Sequence, residues 1–290
     1  MSAKIIKGMP IAEEIRKEII AETGKLKEKG LTPKLAVILV GGDPASVWYA
    51  KSKIKVGDKV GVKVELTEMP EDTPEEEVIK FIEKLNNDKN THGILVELPL
   101  PKHIAKEKVM NAILPVKDVD GVTAVNRGYI FGGQEHLALI PATPLSCIEL
   151  MVRSGIDLTG KRVALIGRGD TVGRPLASLL ITRHATVTVC HTRTKDMPSI
   201  TRQAEIIVAA AGRKGLVTKD MVSEGTVVID AGINEITKED GTTTIVGDVE
   251  FDEVKEVASA ITPVPGGVGS LTTSIIMQNV LKAMKLQGLV

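Results

Sequence analysis

The segment Arg162-Val-Ala-Leu-Ile166-Gly167-Arg168-Gly169-Asp170-Thr171-Val172-Gly173-Arg174-Pro175 decides the class of fold. Arg162 to Ile166 reads as a short strand, Gly167 to Gly173 as a glycine-rich turn, and Leu176 to Ile181 as the helix that follows. Strand, glycine turn and helix in that order form the setting a dinucleotide fingerprint requires. Gly167 and Gly169 would let the main chain approach a pyrophosphate, and the helix N-terminus would receive its charge. Arg168, Asp170 and Val172 complete the candidate loop. Gly173 would permit close helix packing, although it falls one residue later than the G-x-G-x-x-G spacing. A plain structural turn is the competing reading.

The next strand, Thr186 to Val189, bears on which dinucleotide would bind. An NAD site usually ends this strand in an acid for the ribose hydroxyls, whereas here the chain reads Val189-Cys-His191-Thr192-Arg193-Thr194. Arg168 and Arg193, with His191 and Thr192 alongside, suit a 2′-phosphate, so NADP is expected ahead of NAD. Asp170 opposes that inference if its carboxylate faces the same pocket. Further apolar strands at Ile206 to Ala210, Val227 to Ala231 and Ala260 to Val264 extend the pattern to a doubly wound sheet.

Upstream, apolar runs alternate with amphipathic helices in the same way. Ile11, Ile15 and Ile19 mark a helix that should stop near Gly24 or Gly30, and Leu35 to Val40 is a strand buried on both faces. Val62 to Leu66 and Gly93 to Leu98 are further strands. Between them Thr73-Pro-Glu-Glu76 reads as a capping box opening a helix with Val78, Phe81, Ile82 and Leu85. Pro141-Ala-Thr-Pro144 is a stiff hinge, after which a helix, Leu145 to Val152, leads into the second half. The last helix, Leu271 to Leu286, carries Ile275, Ile276, Asn279 and Val280 and is expected to pack back on the first domain. The fold class is therefore α/β, with an N-terminal domain over 1–143 joined by 271–290 and a Rossmann-like domain over 144–270.

The 290 residues suit two domains, and Lys plus Arg equals Asp plus Glu at 37 each, so no global field favours nucleic acid or an anionic membrane. A small-molecule partner is expected. Cys147 and Cys190 have neither the number nor the spacing of a disulfide framework or zinc site, and no metal is expected. The N-terminus lacks a signal-type apolar region and no apolar run approaches the ~18 residues of a membrane span, so a cytoplasmic location is expected.

Ser46, Tyr49 and Lys53 fall at i, i+3 and i+7, on one face of any helix begun after Pro44. A hydroxyl, a phenol and an amine in a row can position a substrate and move a proton. The same spacing also describes an amphipathic helix with Tyr49 half-buried and Lys53 reaching to water.

Taken together, these residues resemble the methylenetetrahydrofolate dehydrogenases and methenyltetrahydrofolate cyclohydrolases of one-carbon metabolism. The resemblance spans nearly the whole chain. It rests on Gly41 to Lys53, Gly93 to Pro101, Lys117-Asp-Val-Asp-Gly121, Pro141 to Pro144, Gly160 to Pro175, Ala185 to His191, Ile229 to Asn234, Gly247 to Val249 and Ile261 to Gly269. It implies that Lys53 transfers protons, that Tyr49 packs along the aminobenzoyl group, that Asp120 binds the pterin edge, and that Ser46 belongs to the substrate site. It also implies that the loop containing Pro265, Gly266 and Gly267 closes near the folate and nicotinamide, that Ile233 contributes to the cofactor site, and that the protein is a homodimer.

Four positions depart from the family pattern, which commonly has Gln at Glu97, Ser at Gly169, Cys at Ala142 and Pro at Ser270. Glu97 matters most. At the carboxyl end of an apolar strand it needs a partner, and Lys53 is the expected one. Cyclohydrolysis needs a base to assist water at the methenyl carbon, and a carboxylate beside the lysine favours the ammonium form. The expectation is that hydride transfer is retained while cyclohydrolase activity is weakened or lost. Two other readings compete: a short-chain-type alcohol or ketone dehydrogenase, which Ser46 with Tyr49 and Lys53 imitates, and a non-catalytic NADP-binding sensor. Chain order opposes the first, since the glycine loop follows the tyrosine by more than a hundred residues. Lys53, Tyr49 and Asp120 in a separate domain oppose the second.

Overall fold

A computed structural model describes residues 2–42, 44–237 and 241–290, apart from the side chains of 44, 45, 48 and 49. The strands are β1 (Lys4–Ile5), β2 (Lys34–Val40), β3 (Lys63–Met69), β4 (Gly93–Val96), β5 (Arg162–Ile166), β6 (Thr186–Cys190), β7 (Ile206–Ala209), β8 (Val227–Asp230), β9 (Asn234–Thr237), β10 (Thr243–Val246) and β11 (Ala260–Ile261). The α-helices are α1 (Gly8–Glu28), α2 (Pro44–Val60), α3 (Glu75–Asn87), α4 (Lys106–Asn111), α5 (Ala124–Phe131), α6 (Ala142–Arg153), α7 (Gly173–Thr182), α8 (Met197–Thr201), α9 (Phe251–Val254) and α10 (Thr272–Leu286).

Two compact units result, one of residues 13–142 with 273–290, the other of residues 1–12 with 143–272. In the first, β3, β2 and β4 pair in parallel in that order. The middle strand is buried along nearly its whole length, as its unbroken apolar run requires. Ile38, Val40, Ile94 and Val96 pack against Val78 and Ile82 of α3 and Val109 and Met110 of α4. The terminal helix α10 returns to this unit, where Gln287 donates to the His92 and Val116 carbonyls.

In the second unit six parallel strands run in the order β1-β11-β8-β7-β5-β6. The chain order reverses at β5, which lies between β6 and β7. In open α/β sheets a ligand crevice forms outside the carboxyl ends of strands at such a reversal, and the 167–173 loop leaves β5 there.

Several boundaries differ from those the sequence predicts. Residues 1–12 belong with the second unit because β1 adds in parallel to the β11 edge, a backbone pairing that carries no local signature. The capping box does not form: Pro74 is the N-cap of α3 without a side-chain bond, and the Thr73 hydroxyl donates to the Pro70 carbonyl at 2.7 Å. The hinge residues Ala142 to Pro144 are already helical, as proline is tolerated in a first turn. β11 ends at Ile261, since Pro263 and Pro265 cannot donate to a ladder. The antiparallel pair β9 and β10 has no counterpart in the predicted elements.

Candidate active site

The chemistry of the first unit gathers at the carboxyl ends of its parallel strands. Lys53, on the third turn of α2, and Glu97, one residue beyond β4, meet with Nζ 2.7 Å from Oε1. Both residues are buried, so the pairing expected from the strand-end position of Glu97 is a desolvated ion pair. Ser46, in the first turn of α2, is also buried and donates to the Leu98 carbonyl at 3.0 Å. Its hydroxyl thus ties α2 to the segment carrying Glu97. Tyr49 lies in the same helix, but its side chain, and with it the predicted aromatic contact, falls outside the described residues.

Asp120 sits in the turn after the bridge between Ile94 and Asp118. It is half-buried, and its carboxylate accepts the Ala142 N–H. Desolvation, reinforced by the neighbouring Asp118, pushes its carboxyl up to about 7 against the opposing pull of Lys53. Lys53, Glu97 and Asp120 therefore form one electrostatic cluster, two carboxyls around one ammonium.

Two residues in this turn carry no site signal in the sequence beyond their place in Lys117-Asp-Val-Asp-Gly121. The Lys117 ammonium donates to the carbonyls of Leu85, Asn86 and Asp88 at 3.1, 2.8 and 2.8 Å, at the negative end of α3. Asp118, with no exposed surface, accepts Val122 N–H, Thr123 N–H and the Asn126 amide at 3.1, 2.8 and 2.9 Å, at the positive end of α5. Burial raises the Asp118 carboxyl and lowers the Lys117 ammonium from their usual ranges. Consecutive opposite charges thus anchor the turn to two helix ends. Gly121, at φ +61°, closes it, and any side chain there would run into the Leu139 carbonyl and the Pro141 ring.

The second unit presents the glycine loop at the sheet's reversal point. Gly167 is at φ +119° with no room for a Cβ against the Ala210 carbonyl, and Gly173 is likewise closed by the Gly167 carbonyl. Gly169 faces open space, and Arg168, Gly169 and Asp170 are exposed, while Val172 is half-buried. Only the first and third glycines are therefore required by packing, and the middle one leaves main chain accessible. Asp170 pairs with Arg174 at 2.8 Å, one helical turn on. Arg174 thereby offsets part of the carboxylate's charge on the exposed face of the loop.

At the end of β6 the chain winds a tight turn, with Thr194 N–H donating to the His191 carbonyl and Arg193 N–H to His191 Nδ1. Thr192 and Arg193 are exposed on it. Since Gly167 N–H donates to the Cys190 carbonyl, this turn begins beside the glycine loop. Two buried acids shape the loops at 211–213, 230–233 and 247–249. Asp248 accepts the N–H groups of Ala211, Gly212 and Arg213, and Asp230 accepts those of Gly232, Asp248 and Val249. Burial pushes Asp230 up to about 6. Ile233 projects from this assembly and is exposed. Pro265 and Gly266 are exposed, whereas Gly267 is buried against the Pro263 carbonyl. No cluster able to hold a metal ion occurs among the described residues, and none of their helices is long and apolar enough to cross a membrane.

A Rossmann-type sheet with a glycine loop at its reversal point, joined to an α/β unit bearing a buried Lys–Glu pair beside a high-pKa aspartate, defines a dinucleotide-binding enzyme class with a separate catalytic domain. Residues 6–120 match the family described as tetrahydrofolate dehydrogenase/cyclohydrolase, catalytic domain, and residues 141–288 match its NAD(P)-binding domain. The chain is 57% identical over 285 residues to bifunctional protein FolD 2 of Desulfitobacterium hafniense, with 98% of each covered. Among solved structures, the bifunctional FolD of Campylobacter jejuni superposes with a TM-score of 0.94 at 43% identity, covering 99% of this chain and 100% of that one. The FolD of Trypanosoma brucei, complexed with NADP cofactor and inhibitor, gives 0.93 at 36% identity over the whole of both chains. This chain belongs to the tetrahydrofolate dehydrogenase/cyclohydrolase family.

Proposed function

We propose that this protein oxidises 5,10-methylenetetrahydrofolate to 5,10-methenyltetrahydrofolate with NADP, and that its methenyltetrahydrofolate cyclohydrolase activity is weakened or lost because of Glu97. The observation that carries the reading is the buried Lys53–Glu97 ion pair beside Asp120 in the catalytic domain of a family member. NADP, when bound, accepts the hydride from the one-carbon bridge. The open Gly169 backbone, the α7 N-terminus and the exposed Thr192 and Arg193 fit its phosphates, with Arg168 alongside.

Within the catalytic domain each group has a task. Asp120 accepts hydrogen bonds from the pterin edge, Tyr49 flanks the aminobenzoyl group, and Ser46 braces α2 against the strand end. Loss of hydride leaves a cation on the substrate, and the Glu97 carboxylate, with Asp120 when ionised, stabilises that developing charge. Hydrolysis of the same cation calls instead for a neutral amine as base toward water. An ammonium held at 2.7 Å by a buried carboxylate serves that step poorly.

The test is a pair of assays on the purified protein near neutral pH: reduced cofactor formed from methylenetetrahydrofolate and NADP, and decay of methenyltetrahydrofolate against a buffer blank. Cofactor reduction with decay close to the blank is the expected result. Fast conversion to the 10-formyl product would mean that Glu97 does not restrain the lysine.

A homodimer and a cytoplasmic setting are part of this reading. The β6 edge supports the first: Thr186, Thr188 and Val189 are exposed on it, and Ile181 of α7 is 62% exposed nearby. Sedimentation should give twice the 31.0 kDa chain mass, falling to a monomer on Val189→Lys. Unchanged mass in that variant would remove β6 from the interface. Two free, buried cysteines suit a reducing compartment.

A further inference from the structure

Asn279 is a buried amide in the apolar middle of α10, flanked by Ile275, Ile276, Met277, Val280 and Leu281, all buried. Helix packing alone would be served better by leucine, because an amide in such surroundings costs free energy unless it is hydrogen-bonded. Its Nδ2 lies 2.7 Å from the Val119 carbonyl and 2.8 Å from the Ile140 carbonyl. Both partners are acceptors only, so the amide must turn its NH2 to them, one hydrogen to each.

Those two carbonyls flank one functional group. Val119 immediately precedes Asp120, and Ile140 lies two residues before Ala142, whose N–H donates to the Asp120 carboxylate. The segments they belong to also touch directly, since Gly121 backs onto the Leu139 carbonyl and the Pro141 ring. Asp118 and Lys117 anchor the turn to the ends of α5 and α3, and the Asn126 amide, which donates to Asp118, accepts the Leu139 N–H at 3.0 Å, one residue short of the 140–142 segment. Asn279 bonds both segments directly on either side of Asp120.

We propose that Asn279 is a positioning residue for the folate site, holding the 119–121 and 140–142 segments together so that Asp120 meets the substrate in one orientation. The inference rests on the dehydrogenase reading above. It also gives the return of α10 to this unit a task beyond burying apolar surface. The charged groups facing Asp120 are Asp118 from its own turn, Lys53 from α2 and Glu97 from the end of β4. Asn279 brings no charge, so its removal alters Asp120 only through geometry, by slackening the Ala142 bond that favours the carboxylate.

The test compares wild type with Asn279→Leu, which removes both donors at similar volume, Asn279→Ser, which keeps a single donor, and Met284→Ala, which weakens the packing of the same helix more than one turn further on without touching either carbonyl bond. Asn279→Leu should lose about ten- to a hundredfold in kcat/KM for methylenetetrahydrofolate while KM for NADP stays within about twofold. The acid limb of the kcat/KM–pH profile, set by ionisation of Asp120, should move to higher pH in Asn279→Leu, Asn279→Ser should fall between, and Met284→Ala should leave the limb in place at a comparable loss in Tm. Wild-type kcat/KM and an unmoved limb in Asn279→Leu would overturn the proposal, as would an equal shift in Met284→Ala. Should Asn279→Leu not fold, Asn279→Ser decides on the same criteria. A wild-type protein that does not oxidise the folate would overturn the functional reading itself, and the proposal with it.

Discussion

Glu97→Gln separates the two activities most directly. The charges of Lys53 and Glu97 stand 2.7 Å apart, with side-chain exposures of 10% and 9%. At an effective dielectric of ~20 their attraction is about 6 kcal/mol, most of which offsets the cost of desolvating both groups. What remains is of the size of a hydrogen bond to a charged group, about 1.5–3 kcal/mol. Glutamine accepts the same bond without the negative charge, so up to that much of the hold on the Lys53 ammonium is released. Cyclohydrolase rate should then rise, by up to about 150-fold on conversion of that free energy to rate. Dehydrogenase kcat should fall, because one carboxylate near the developing cation is gone. Both are read on one preparation, from methenyltetrahydrofolate decay and from cofactor reduction. A folded variant that keeps its dehydrogenase activity without any rise in hydrolysis would refute the electrostatic argument.

Other outcomes follow from the same geometry. Asp120, raised to about 7, is neutral below that pH and a carboxylate above it, so kcat/KM for the folate should climb as pH rises through 7 and then level off. Asp118→Asn removes a like charge, which should move that limb to lower pH, and a limb that stays put would show that Asp118 does not act on Asp120 electrostatically. Arg193→Ser, on the exposed turn after β6, should raise KM for NADP by about ten- to a hundredfold while leaving NAD kinetics unchanged, and equal losses with both cofactors would place the 2′-phosphate elsewhere.

The local parts of this protein were legible in its sequence because local rules produce them. The strand from Arg162 to Ile166, the turn with Gly167 and Gly173, and the apolar run of β2 each follow from steric and burial constraints acting within a few residues. The Lys53–Glu97 pair was legible for a different reason: a carboxyl at the end of a buried strand must find a cation, and the resemblance named one. By contrast, the failed capping box shows that a local motif loses when a neighbouring carbonyl, here that of Pro70, takes the hydroxyl.

What only tertiary structure decided are pairings between segments far apart in the chain, where no local energy distinguishes one partner from another. β1 joined the β11 edge across more than 250 residues, moving the first twelve residues to the other unit. Asn279 reached Val119 and Ile140 across 160 and 139 residues. In a helical pattern it is merely a polar residue on an apolar face, and its meaning depends on which carbonyls the packed helix sets before it.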